Sequence, residues 1–183
     1  MIFLIQQTSP NKSNLMKKLL FILMFLIVGI CANAQNSVKF RIKNAGFTVP
    51  GYFSSFKPYV TYDKDNLSAA KFIGIVNINS INTNNTARDK HLKGADFFDE
   101  AKYQTMKFES TSVSSISSTK IKVTGTLTIK DVSKTVSFET TVGEKNGKKT
   151  FTSTFSINRL DYNVGESSMT LANILNIDLY IEK

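Results

Sequence analysis

The chain has 183 residues, 42% of them hydrophobic, with one cysteine, one histidine, no tryptophan and a formal net charge of +9. A single cysteine excludes an internal disulfide framework, and one histidine beside one cysteine excludes a Cys/His metal cluster. The length suits one domain that rests on burial and backbone pairing.

Residues 1–34 have the layout of a secretory leader. Lys17 and Lys18 form a basic start, Leu19 to Ile30 is a twelve-residue apolar run, and Ala32-Asn33-Ala34 supplies small residues for cleavage. The run is shorter than the roughly 20 residues of a spanning helix. Met16 is a plausible true start, because residues 1–15 carry no targeting logic. Cys31 follows Ile30, which is too large for a lipoprotein cleavage site, so cleavage near Ala34 is expected, with residues 35–183 as the domain and a periplasmic or secreted destination. Three of the 23 Lys and Arg precede that cut and all 14 acidic residues follow it, which leaves 20 cations against 14 anions. The lysines are spread along strands, so the charge reads as a solvated basic surface and not as a nucleic-acid footprint. Peripheral contact with an anionic membrane is the functional version of the same charge.

In chain order, Val38, Phe40 and Ile42 alternate with Lys39, Arg41 and Lys43, the two-residue period of a half-buried strand. After Asn44-Ala45-Gly46, Phe47 to Phe53 forms a second strand with Pro50-Gly51 inside it, which predicts an edge or a kink. Tyr59 to Tyr62 is a short strand closed by Asp63-Lys64-Asp65-Asn66. Ala69 to Ile81 is predicted as one strand, with Phe72, Gly74, Val76 and Ile78 in one phase and Ile73 and Ile75 in the other. From Met106 onward the pattern is a meander. Ile121, Val123, Leu127 and Ile129 share a phase in which Gly125 permits a bend. Asp131 to Lys134 connects to Val136, Phe138, Thr140 and Val142, and Asn146-Gly147 is a strong hairpin signal. Phe151, Phe155 and Ile157 are followed by Leu175, Ile177, Leu179 and Ile181. About eight strands with short connections predict an all-β fold, an eight-stranded antiparallel barrel or sandwich. A barrel of that size is just wide enough to hold one small ligand.

Between the strands lies ARDKHLKGADFFDEAKYQTMKF, Ala87 to Phe108. Thr86 with Asp89 resembles a capping box, Ala87 to Lys93 gives two helical turns, and Gly94 fits a left-handed stop. Asp96 and Asp99 frame a second short turn carrying Phe97 and Phe98. This is a short helical insertion whose apolar groups, Leu92, Phe97 and Phe98, need cover. The mouth of a barrel supplies it.

NAGFTVPGYF, SINTNNTARDKHLKGADFFDEAKY, VTGTLTIKDVSKTV and FSINRLDYNVG, in that order, resemble the YceI-like family from Val38 to about Glu182. The family's pattern differs at Gln104, Asp131 and Asn163, none of which is predicted to face the interior. The resemblance implies a lipocalin-like periplasmic barrel that binds a polyisoprenoid or similar lipid, without cofactor. The inward phase (Val76, Ile78, Phe108, Val123, Leu127, Phe138, Phe155, Ile177, Leu179) fits a packed core and an apolar tunnel equally by periodicity, and only the resemblance favours the tunnel.

His91 lacks a partner nucleophile or metal set, so neither catalysis nor a metal site is expected. Arg88 and Asp89 fit a head-group contact or a tie between lid and rim. Arg159 and Asp161, an arginine–aspartate pair beside the aromatic Tyr162, read as a corner lock beside the mouth. The runner-up function is a ligand-free structural or stress-protection protein acting through a homodimer surface.

Overall fold

The computed structural model describes residues 36–183; the leader and its cleavage site lie outside the described residues. Ten strands form one antiparallel sheet: β1 (Ser37–Asn44), β2 (Phe47–Phe53), β3 (Phe56–Thr61), β4 (Lys71–Asn77), β5 (Ile81–Asn82), β6 (Thr105–Ser117), β7 (Lys120–Ile129), β8 (Val132–Lys145), β9 (Lys148–Asn158) and β10 (Leu171–Glu182). One helix, α1 (Thr86–Lys93), lies between β5 and β6. The strand order is β3-β4-β6-β7-β8-β9-β10-β1-β2-β5.

That order has a geometric consequence. β2 and β3 are separated by Ser54 and Ser55 alone, yet they sit near opposite ends of the sheet. Eight strand spacings of about 4.8 Å would hold them roughly 38 Å apart in a flat sheet. Three Cα steps reach at most about 11 Å. The sheet therefore curls into a half-barrel until its ends meet. At the seam the Ser54 N–H donates to the Ser80 carbonyl and the Asn77 N–H to the Ser55 carbonyl, both at 3.1 Å.

Ten strands are present, not about eight. The expected strands at Phe47–Phe53 and Tyr59–Tyr62 are β2 and β3, which lie on either side of the seam with different partners, and the added β5 is a two-residue strand paired with the end of β2. The expected single strand from Ala69 to Ile81 is broken. Ile78–Ser80 form a 3-10 turn capped by the Asn77 side chain, so Ile78 belongs to a turn and not to a strand face. Pro50 lies within a continuous β2, which pairs with β1 along its whole length and with β5 only at Tyr52 and Phe53. The β7–β8 connection is shorter than expected: β8 begins at Val132, and Lys130 adopts φ +57° in the turn. Asn146-Gly147 forms the tight hairpin that its residues dictate, both at positive φ.

Two glycines permit the curvature. Gly51 lies opposite Phe40, and a Cβ there would overlap the Phe40 ring. Gly125 faces the bulge between Ser110 and Ser112, and a Cβ there would overlap the Glu109 carbonyl and crowd Phe108. The freed Ser110 hydroxyl is buried and accepts the Phe72 N–H at 2.9 Å.

The inward side chains gather in two clusters. One, centred on Phe72, Ile121, Val123, Phe138, Phe151 and Ile181, closes one end. Phe151 is 1% exposed and meets Tyr62 and Phe72 edge-on at 5.3 and 5.2 Å. The other, with Phe40, Phe53, Ile78, Met106, Tyr162 and Val164, lies beneath the helical insertion. Phe151→Ala is expected to lower stability by about 3–5 kcal/mol, read as a shifted urea midpoint at an unchanged slope.

Candidate functional site

Between the two clusters the inward rows leave a cavity of about 420 Å³. Its closed end is aromatic. Phe138 stacks on Phe155 at 4.4 Å and 11°, and Phe108 leans on Phe138 at 5.3 Å. Its middle is aliphatic, with Val76, Met106, Leu127, Ile129, Leu175, Ile177 and Leu179. The mouth is framed by Arg88, His91 and Leu92 of α1, by Phe97 and Phe98, by Arg159, and by Asn44, Val49, Thr170 and Leu171 at the strand ends. Among the described residues, none of the lining side chains is a carboxylate. The buried Thr140 hydroxyl at the closed end is satisfied by Ser153 at 2.8 Å.

Seven of the nine residues expected along a tunnel line this cavity: Val76, Phe108, Leu127, Phe138, Phe155, Ile177 and Leu179. Ile78 and Val123 do not. Both are fully buried in the clusters on either side, Ile78 because its turn leaves the sheet and Val123 because Phe72, Phe138 and Phe151 pack over it. Phe40, Phe53, Met106, Ile129 and Leu175 line the cavity but are absent from the expected set. Phe40 was visible in the inward phase of β1; its reach into the cavity depends on Gly51 opposite, which periodicity does not reveal.

The insertion is built differently from its sequence expectation. Asn85, not Thr86, caps α1, its side chain accepting the Arg88 N–H at 2.9 Å. Asp89 reaches back past the cap to accept the Thr83 N–H at 2.9 Å and the Thr83 hydroxyl at 2.6 Å. Arg88 donates from Nε to the Thr83 hydroxyl at 2.8 Å and from Nη2 to the Thr83 carbonyl at 2.7 Å. Both side chains thus tie the lid to buried Thr83, and Asp89 does not line the cavity. Gly94 is extended, φ −67° and ψ 168°; the left-handed residue is Asp99 at φ +50°. The Phe98 N–H bonds the Leu92 carbonyl and the Asp99 N–H the Gly94 carbonyl, which folds Phe97 and Phe98 under the helix. Phe98 meets Phe53 edge-on at 6.2 Å, and His91 meets Phe97 at 5.0 Å. Asp96 contributes its carbonyl, which accepts the Gly165 N–H at 3.0 Å.

Arg159 is 4% exposed and has no carboxylate partner. Its guanidinium donates to the carbonyls of Ala172 at 3.0 Å, Val164 at 2.9 Å and Glu166 at 2.7 Å, and to Asn173 Oδ1 at 3.2 Å. The expected pairing with Asp161 is absent, because Asp161 faces solvent while the arginine turns inward. Burial pushes the Arg159 pKa below the ordinary arginine value. Tyr162 lies in the cluster beside the mouth, 2% exposed, and does not line the cavity. Burial, with a smaller contribution from Asp161, raises its phenol to about 12. Among the described residues, no three His, Cys, Asp or Glu side chains converge to hold a metal ion, and no helix is long and apolar enough to cross a membrane.

The fold is thus a curled antiparallel sheet around an apolar cavity, with a short helix at its mouth. Residues 31–182 match the model of the YceI-like domain. The chain belongs to the YceI-like family. Protein YceI of Escherichia coli O6:H1 is 41% identical over 103 residues, 56% of this chain and 53% of that one. The chain thus matches about half the length of such curated relatives. Among solved structures, BcnA of Burkholderia cenocepacia superposes with a TM-score of 0.78 at 24% identity, over 82% of this chain and 97% of that one. A polyisoprenoid binding domain from Saccharophagus degradans, implicated in plant cell wall breakdown, superposes at 0.65 and 13% identity over 79% and 91%. These two likenesses show the YceI-like fold.

The carbonyl cage fixes the loop on which the lid rests, so its loss is a structural event. Arg159→Met is expected to lower stability by about 2–3 kcal/mol through the carbonyls it orphans. Arg159→Lys should not restore it, because an ammonium lacks the planar fork. Urea unfolding of the two variants checks this; a lysine variant as stable as the parent would show that charge alone suffices.

Proposed function

We propose that this YceI-like protein is an exported carrier that sequesters a long apolar chain inside its curled sheet and makes or breaks no bond. A polyisoprenoid, quinone-like or fatty chain is the ligand class. The observation that carries the reading is the cavity of about 420 Å³ with its apolar lining. A ligand-free structural module would interdigitate the same phenylalanines and leaucines into a filled core. The family, and the ligand named for the Saccharophagus degradans domain, support the same class.

In this reading Phe108, Phe138 and Phe155 hold the far end of the tail, while Val76, Leu127, Ile177 and Leu179 hold its middle. Burial contributes roughly 0.8 kcal/mol per CH₂, offset by the cost of ordering a flexible chain. The head rests at the mouth beside Arg88 and His91. With no carboxylate among the lining side chains, a head with acceptor oxygens is favoured over a cationic one. The leader of residues 1–34 would deliver the protein across the inner membrane, where such chains reside.

Native mass spectrometry of protein recovered from the cell envelope tests the reading. The expected result is a bound mass that extraction identifies as a long-chain lipid. Leu175→Trp, which places a large ring in the cavity, is expected to lower the bound fraction about tenfold or more while the fold persists. Protein recovered free of lipid, and still free after incubation with polyprenol or long-chain quinone, would overturn it.

A further inference from the structure

The inward rows continue beyond the rim. On the β1–β2 hairpin the opposed pairs Phe40/Gly51, Ile42/Val49 and Asn44/Phe47 share one face, because directly opposed residues of an antiparallel pair point to the same side. Ile42, Val49 and Asn44 line the mouth. The next residue of that row, Phe47, is 77% exposed. On the adjoining strand Leu171 lies opposite Asn44 and lines the mouth, and Met169, two residues earlier, is fully exposed. The Ala45 N–H donates to the Thr170 carbonyl at 2.8 Å, which fastens the two tips side by side. The tip segments Ala45-Gly46-Phe47-Thr48 and Ser167-Ser168-Met169-Thr170 contain no charged residue, in a chain of net charge +9.

We propose that these two tips dock the mouth on a lipid bilayer. Phe47 and Met169 enter the boundary between head groups and acyl chains, and an apolar tail passes between membrane and cavity without crossing water. The purpose of the contact rests on the carrier reading; its geometry does not. A protein partner fits less well. A lasting protein interface buries about 1,200 Å² or more, which two side chains do not supply, whereas a bilayer accepts isolated apolar side chains without a complementary surface. The uncharged tips also make the docking apolar and insensitive to salt, unlike attraction between the basic surface and anionic lipid.

Flotation with vesicles of pure phosphatidylcholine tests this. Residues 36–183 contain both apolar clusters and every strand pair, so the chain from Gln35 onward serves alone, free of the apolar leader. The expected result is co-flotation that added salt does not weaken. Phe47→Ser combined with Met169→Ser should weaken it about tenfold or more with an unchanged melting curve, since both side chains are exposed. Ile116→Ser is the control: Ile116 is 47% exposed at the irregularity near the end of β6, on a strand end away from the two tips, and its loss should change nothing. A parent that never floats, a double variant that floats like the parent, or flotation abolished by salt would each overturn the proposal. Native mass spectrometry of the same fractions separates it from the carrier reading. Lipid in the cavity of a protein that never floats overturns docking alone. Tip-dependent flotation with an empty cavity supports docking and counts against carriage.

Discussion

Two residues set the shape of this molecule. Ser54 and Ser55 carry the chain from β2, near one end of a ten-strand sheet, to β3 at the other. No flat or gently twisted sheet is compatible with so short a link, so the sheet must enclose a space. What remains for the sequence to decide is how that space is filled. Aromatic residues from β4, β6, β8 and β9 converge at one end and fill it; Leu, Ile and Val rows in the middle leave it open. Gly51 and Gly125 are the local concessions, each placed where a side chain would collide with a phenylalanine of the opposite strand.

The mouth is held by a different chemistry. The lid hangs on Thr83 through Arg88 and Asp89, and it is pinned at Asp96 to Gly165, whose own loop is organised by the carbonyl cage around Arg159. These are polar contacts in a rim whose interior neighbours are apolar, so the rim keeps its geometry whether or not the cavity is filled. Leu171 belongs to the cage as well, its carbonyl accepting Arg159 Nη2 at 3.4 Å and its N–H donating to Ser168 Oγ at 3.2 Å, while the β1–β2 tip at Asn44 and Phe47 is fastened beside it by the Ala45–Thr170 bond. The same opening thus has a framed side and, at Phe47, an apolar one.

Much of this was legible before any coordinates. Two-residue alternation placed Leu127, Phe138, Phe155, Ile177 and Leu179 on one face, and Asn146-Gly147 marked its hairpin. The misreadings have physical causes. Ile78 kept the phase of Phe72 and Val76, but the Asn77 side chain caps a 3-10 turn that ends the strand, an event invisible to periodicity. Thr86 and Asp89 matched a capping pattern, yet Asn85 won the cap and Asp89 was drawn to Thr83. Arg159 looked paired with Asp161 by proximity in sequence, whereas the fold offered it carbonyl oxygens from residues up to thirteen positions away. The split between packed core and open cavity is a matter of how side-chain volumes sum across opposed strands, which one-dimensional pattern does not carry.

The central claim is that the enclosed space receives an apolar chain. The most direct measurement is a crystal structure of the protein with a long-chain lipid brominated along its tail. Anomalous bromine peaks are expected inside the sheet, between Leu127 and the stacked rings of Phe138 and Phe155. Bromine found only on the outer surface, with the interior unchanged, would contradict it.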